Sequence, residues 1–100
     1  MDRYVLIALN GPTSGEADEK IYNDWYDQVH LPDLLAAPGV LSATRFKVLQ
    51  GDLTNPYVAL YEIESDDIGA TLSFLQENNR PFDATFDSGS SRHILALALT

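Results

Sequence analysis

Apolar residues recur along the chain in two different periods, and the switches between them mark out six elements. Residues 3–10 (RYVLIALN) form a short apolar run closed by Gly11-Pro12, which predicts a buried strand. From Glu16 to about His30 the period becomes helical. Ile21, Trp25 and Val29 recur at i, i+4 and i+8, with Tyr22, Tyr26 and His30 as a second row beside them. Lys20, Asn23, Asp24, Asp27 and Gln28 take the opposite face. Pro32 is expected to interrupt this helix, because a residue before proline, here Leu31, is biased away from helical dihedrals. Residues 32–35 can restart as a short turn before Pro38-Gly39 ends the segment.

Val40 to Gln50 alternates loosely and predicts a second strand, followed by a polar turn over residues 51–56. Tyr57 to Glu64 (YVALYEIE) predicts a third strand. Ser65 is expected to cap a second helix, with Asp66 and Asp67 complementing the positive end of its dipole. Ile68, Leu72 and Leu75 give that helix its buried face, and it ends near Asn78. Residues 80–91 are irregular, and their Asp-Ser-Gly-Ser-Ser stretch suggests a mobile loop. His93 to Thr100 closes the chain as a fourth strand.

The order β-α-β-β-α-β is the split βαβ arrangement of ferredoxin-like α+β folds: a four-stranded antiparallel sheet with two helices on one face. Residues 1–100 then form a single domain. In a monomer the uncovered face should be polar. Here Val5, Ile7 and Leu9 alternate with Tyr4, Leu6 and Ala8, and Leu95, Leu97 and Leu99 alternate with Ile94, Ala96 and Ala98. Two apolar faces under one set of helices imply a second copy of the sheet, hence a homodimer.

Composition narrows the partners. Fifteen acidic against six basic side chains give a net charge of −9, which argues against nucleic acid and anionic membranes. No apolar run approaches the roughly 20 residues that cross a bilayer. Met1-Asp2-Arg3-Tyr4 lacks the basic-then-apolar order of a secretory signal, so a cytoplasmic location is expected. The chain has no cysteine, which removes disulfides, thiolate chemistry and cysteine-held metal centres together.

What remains for chemistry is two histidines, five tyrosines, Arg45 and the carboxylates. His30 closes the Tyr22-Tyr26-His30 row at an expected helix end. The dipole there favours imidazolium and partial burial favours the neutral form, a balance that suits an acid/base group near neutrality. The ordinary alternative is a histidine that caps the last carbonyls. His93 opens the last strand after a loop and reads as a surface residue. No ligand spacing joins the histidines to a carboxylate, so no metal site is expected. Tyr4, Tyr22, Trp25, Tyr26, Phe46, Tyr57 and Tyr61 could line one cavity, with Ala59 leaving room between Tyr57 and Tyr61. Such a cavity suits an aromatic or polyphenolic ligand, although small domains also fill cores with these rings. Arg45 lies mid-strand and, if buried, needs a carboxylate or an anionic ligand, with Asp2, Glu62 or Glu64 as candidates.

The segment Asn23 to Leu35 (NDWYDQVHLPDLL), followed by Pro38-Gly39-Val40, resembles the EthD-like branch of the dimeric α/β-barrel superfamily. Such proteins carry a W-Y-x-x-x-H-x-P-x-L segment, then Pro-Gly and a strand with an arginine, here Arg45. The stretch Tyr57 to Ser65 looks like their third strand and the approach to helix two. The resemblance implies sheets that pair into a barrel and a cofactor-free pocket in each subunit. It also implies a helix-end histidine, matching His30, beside the substrate. Characterised relatives include polyketide cyclases, dehydratases, decarboxylases, muconolactone-type isomerases and cofactor-independent monooxygenases.

The first reading is therefore a cofactor-independent lyase, cyclase or isomerase acting on a polyketide-like or aromatic intermediate. His30 would move a proton next to a carbonyl, and Tyr26, Tyr61 or Arg45 would stabilise the enolate oxygen. Tyr4, Tyr22, Trp25, Phe46 and Tyr57 would shape the substrate pocket. The alternatives are a cofactor-free oxygenase of an electron-rich phenol, which would consume dioxygen, and a non-catalytic ligand-binding dimer.

Overall fold

The computed structural model describes residues 1–51 and 54–100. Within them the chain runs β1 (Asp2–Asn10), α1 (Glu16–Trp25), a wide helical turn (Tyr26–His30), α2 (Leu31–Leu35), β2 (Val40–Lys47), β3 (Tyr57–Ser65), α3 (Ile68–Asn78) and β4 (Arg92–Leu97). The strands form one antiparallel sheet in the order β2-β3-β1-β4, the ferredoxin-like topology. Positions 52 and 53 of the expected turn over 51–56 lie outside the described residues.

Alternation along β3 decides which face is covered. Tyr57, Ala59, Tyr61, Ile63 and Ser65 are all buried, whereas the residues between them are not. In register, Tyr4, Leu6, Ala8 and Asn10 of β1 share that covered face, as do Ala43 and Arg45 of β2 and His93, Leu95 and Leu97 of β4. Tyr22, Tyr26, Leu34 and Ala37 from the first helical stretch and Leu75 from α3 complete the core. The opposite face carries Val5, Ile7, Leu9, Val58 and Leu60 in adjacent register. At its flanks Phe46 and Ile94 are each about half exposed. The apolar second face read from the sequence is present.

Pro32 does not break the helix. His30 and Leu31 keep right-handed helical dihedrals, and the Leu31 N–H donates to the carbonyl of Tyr26, five residues back. This π-type turn relaxes the winding just before a residue that has no N–H to offer. It also corrects the phase of the buried row. In a straight α-helix, at about 100° per residue, Leu34 would sit about 120° around from Tyr22. The wider turn keeps Tyr22, Tyr26, His30 and Leu34 all buried against the sheet. The neighbouring row is less enclosed, and Ile21 is half exposed.

Two further expectations change. The N-cap of α3 is Asp67, whose carboxylate accepts from the Ala70 N–H at 3.1 Å, and not Ser65. Ser65 is the last residue of β3, and its hydroxyl accepts from the Asp67 N–H and pairs with Thr71. Gly39 turns the chain into β2 with φ +91°, and a Cβ there would collide with the Glu64 carbonyl oxygen. The Pro38-Gly39 signal thus marks a position only glycine fills.

Candidate functional site

A cavity of about 270 Å³ opens between the sheet, the wide turn, α3 and the stretch that follows it. Its floor is Leu6, Ala8 and Asn10 of β1, Tyr61 of β3, and His93 and Leu95 of β4. Tyr26, His30 and Leu34 wall one side, Leu72, Leu75 and Gln76 of α3 another, and Phe82 and Phe86 complete it. The lining is mostly apolar with a few convergent polar groups, the usual character of a small-molecule site. Among the described residues no carboxylate lines it.

His30 is held at this cavity by rings. Trp25, five residues earlier, stacks on the imidazole at 5.0 Å and 19°, while Tyr26 and Phe82 meet it edge-on at 4.9 and 4.8 Å. The wide turn lets residues four and five positions back flank one side chain. His30 is 7% exposed, and its Nδ1 is buried without a hydrogen-bond partner. It is therefore no cap, since the helix continues past it and it bonds no terminal carbonyl. Nor does a helix-end dipole hold it near neutrality. Burial pushes its pKa down to about 4; the Asp33 carboxylate pulls the other way, and the Arg45 charge lowers it further. The imidazole is neutral at pH 7.

Beside His30 lies a hydroxyl network. The Tyr22 hydroxyl donates to Asn10 Oδ1, Asn10 Nδ2 donates to the Tyr26 hydroxyl at 3.1 Å, and the Tyr26 and Tyr61 hydroxyls meet at 3.1 Å. Burial raises Tyr22 and Tyr61 well above the ordinary phenol range, so both remain protonated donors.

The stretch after α3 is irregular in backbone, as expected, but it is tied down. Arg80 grips the Asp33 carboxylate through its backbone N–H and its guanidinium, at 2.8 Å each, and reaches the Val29 carbonyl. Thr13 N–H donates to Thr85 O, and Asp87 N–H to Gly11 O. These bonds carry Phe82 and Phe86 against Trp25.

Of the residues singled out in the sequence, His30, Tyr26 and Tyr61 meet at the cavity. Trp25 backs the imidazole, and Tyr22 stands one hydrogen bond behind the wall. Arg45 and Tyr57 do not reach it. Arg45 donates to Asp27 at 3.0 Å and Asn23 at 2.8 Å, with its guanidinium over the Tyr26, Tyr57 and Tyr22 rings at 4.3, 5.0 and 5.4 Å. Its carboxylate is thus Asp27, not Asp2, Glu62 or Glu64. Tyr57 bonds Glu19 and Asn23, and Ala59, fully buried between Ala8 and Arg45 in register, leaves no opening there. Phe46 lies on the other face of the sheet, and Tyr4 borders a separate hollow with Leu41 and Glu62. His93 is exposed, as expected, yet its strand parity turns it to the cavity face. Asn10, Phe82 and Phe86 were not singled out. Their signals were a polar residue ending an apolar strand and two aromatics four apart in a segment with no other pattern.

Among the described residues no group of three or more histidines and carboxylates stands close enough to hold a metal ion. None of the described helices is long and apolar enough to cross a membrane. No family model and no curated protein matches the sequence. Among solved structures, the chain is similar to an ethyl tert-butyl ether D (EthD) family protein from Bacillus halodurans C-125. The match covers 96% of this chain and 97% of that one at a TM-score of 0.55 and 8% identity. The likeness shows a shared fold, the one that the Trp25–Leu34 segment implies.

Proposed function

We propose that the protein is a cofactor-independent lyase, cyclase or isomerase that moves a proton next to a carbonyl of an aromatic or polyketide-like molecule. One observation carries this reading: an unpartnered neutral imidazole, His30, and the paired hydroxyls of Tyr26 and Tyr61 wall the same mostly apolar cavity. His30 takes the proton, Tyr61, backed by Tyr26, receives the oxygen on which negative charge develops, and Phe82 and Phe86 exclude water. A base with a pKa near 4 is weak alone. It accepts a proton here because an enolate forms beside it in a poorly screened site and the Asp33 charge favours the imidazolium. Acidic carbons flanked by carbonyls or an aromatic ring suit such a base.

His30→Gln should lower turnover about 100- to 10,000-fold with the fold retained, as removal of a positioned general base does. The acid limb of kcat/KM should fall near pH 4 and not near the ordinary histidine value of 6.5. Undiminished turnover in His30→Gln sinks the assignment.

We also propose that the working unit is a cytoplasmic homodimer joined through the uncovered sheet face. Ile7, Val58, Leu60, Phe46 and Ile94 give that face an apolar centre, with charge at Glu62 and Glu64. Phe46→Glu should convert the dimer to a monomer in analytical ultracentrifugation. A monomeric wild type would end this part of the reading.

A further inference from the structure

Asn10 of β1, Tyr22 and Tyr26 of the first helical stretch and Tyr61 of β3 join in one hydrogen-bonded run that reaches the cavity at Asn10, Tyr26 and Tyr61. Asn10 is the joint. Its side chain is buried, its Oδ1 takes the Tyr22 hydrogen, and its Nδ2 gives one to the Tyr26 oxygen. Either hydroxyl can donate across the 3.1 Å Tyr26–Tyr61 contact; in the sense that continues the run from Asn10, where each bond strengthens the next, Tyr26 gives its hydrogen to Tyr61. The hydrogen of Tyr61 is then left over, and Tyr61 lines the cavity.

We propose that Asn10 is a positioning residue that sets the direction of a hydrogen-bond relay from Tyr22 through Asn10 and Tyr26 to Tyr61, so that Tyr61 presents an O–H donor to an oxygen of the ligand. This rests on the reading of the cavity as a ligand site. It narrows the ligand to one that brings a carbonyl or phenol oxygen to Tyr61. Each bond in such a chain polarises the next, so the far end is felt at the ligand.

The test uses 2-naphthol, whose absorbance separates its neutral and ionised forms. A donor aimed at the naphthol oxygen favours naphtholate. Bound to the wild type, naphthol should titrate about one pH unit lower than when bound to Asn10→Leu, which cuts the relay. Asn10→Asp, whose carboxylate only accepts, should lose the shift as well, because the Tyr26 hydrogen then turns to it and Tyr61 donates to Tyr26. Tyr22→Phe should lose a smaller part of it. Tyr22 does not line the cavity, so a merely structural role would leave the titration unmoved. If Asn10→Leu fails to fold by circular dichroism, Tyr22→Phe, which keeps its ring, carries the comparison. Equal naphthol titration in wild type and variants overturns the proposal, as does a wild type that binds no naphthol. Turnover is not read, so normal turnover in His30→Gln would remove the general base and leave the relay standing.

Discussion

Arg45 and His30 both lie against the ring of Tyr26, yet the fold treats them in opposite ways. Arg45 is enclosed by three tyrosine rings and given a carboxylate and an amide oxygen for two of its nitrogens, with only Nε buried and unpartnered. His30 is enclosed by Trp25, Tyr26 and Phe82 and makes no hydrogen bond on its buried nitrogen. Over β2 the covered face is filled. Over β1 and β4 it is left hollow. A cation with partners on a closed wall is a structural element; a neutral base without partners beside a cavity is a group held in reserve.

Substitution should separate the two sides most sharply at Arg45. Arg45→Met forfeits the ring stack and two charge-assisted hydrogen bonds, discounted because the Asp27 side chain is 59% exposed. About 3 kcal/mol should be lost in urea unfolding at about pH 8. If Arg45→Met proves neutral, the contrast is wrong.

Next in size is an acid effect at His30. Its pKa falls from 6.5 in the open chain to about 4 in the fold, so the unfolded state binds the proton more readily. Stability is therefore unaffected above about pH 7 and declines as pH drops from about 6.5 to about 4. The loss should reach about 2 kcal/mol near pH 5 and should vanish in His30→Gln. The smallest effect sharpens the comparison from the other side. At about pH 8, His30→Gln should lower unfolding free energy by about 1 kcal/mol, from the ring contacts with Trp25, Tyr26 and Phe82, since no hydrogen bond on Nδ1 is removed.

Much of this was legible in the sequence because punctuation and period agreed. Gly11-Pro12, Pro38-Gly39 and Ser65-Asp66-Asp67 bracket elements whose apolar spacing names their type, and the row Tyr22-Tyr26-His30 is the row the sheet buries. The continuous helix through Pro32 was not legible, because the proline rule assumes ordinary winding and the Tyr26–His30 turn supplies a different one. The expectation that His30 titrates near neutrality rested on the same assumed helix end. Without a helix end there is no dipole to offset burial. Arg45 pointed correctly to a carboxylate, but spacing along one chain cannot say that Asp27, on the polar side of a helix, leans over the strand. Phe82 and Phe86 close the cavity from a stretch with no period at all, and position there is set wholly by tertiary bonds such as Arg80 to Asp33.

The wide turn also sets the direction in which the length of its segment can change. Ordinary loops absorb an added or lost residue at little cost. Between Tyr22 and Leu34 the wide turn has already taken up one residue, since with one fewer an ordinary helix at about 100° per residue would leave Leu34 only about 20° from Tyr22. One more residue would carry Leu34 off the sheet. Among descendants of this chain, insertions should then collect in the 80–91 stretch, while the thirteen positions from Tyr22 to Leu34 can shorten by one but not lengthen.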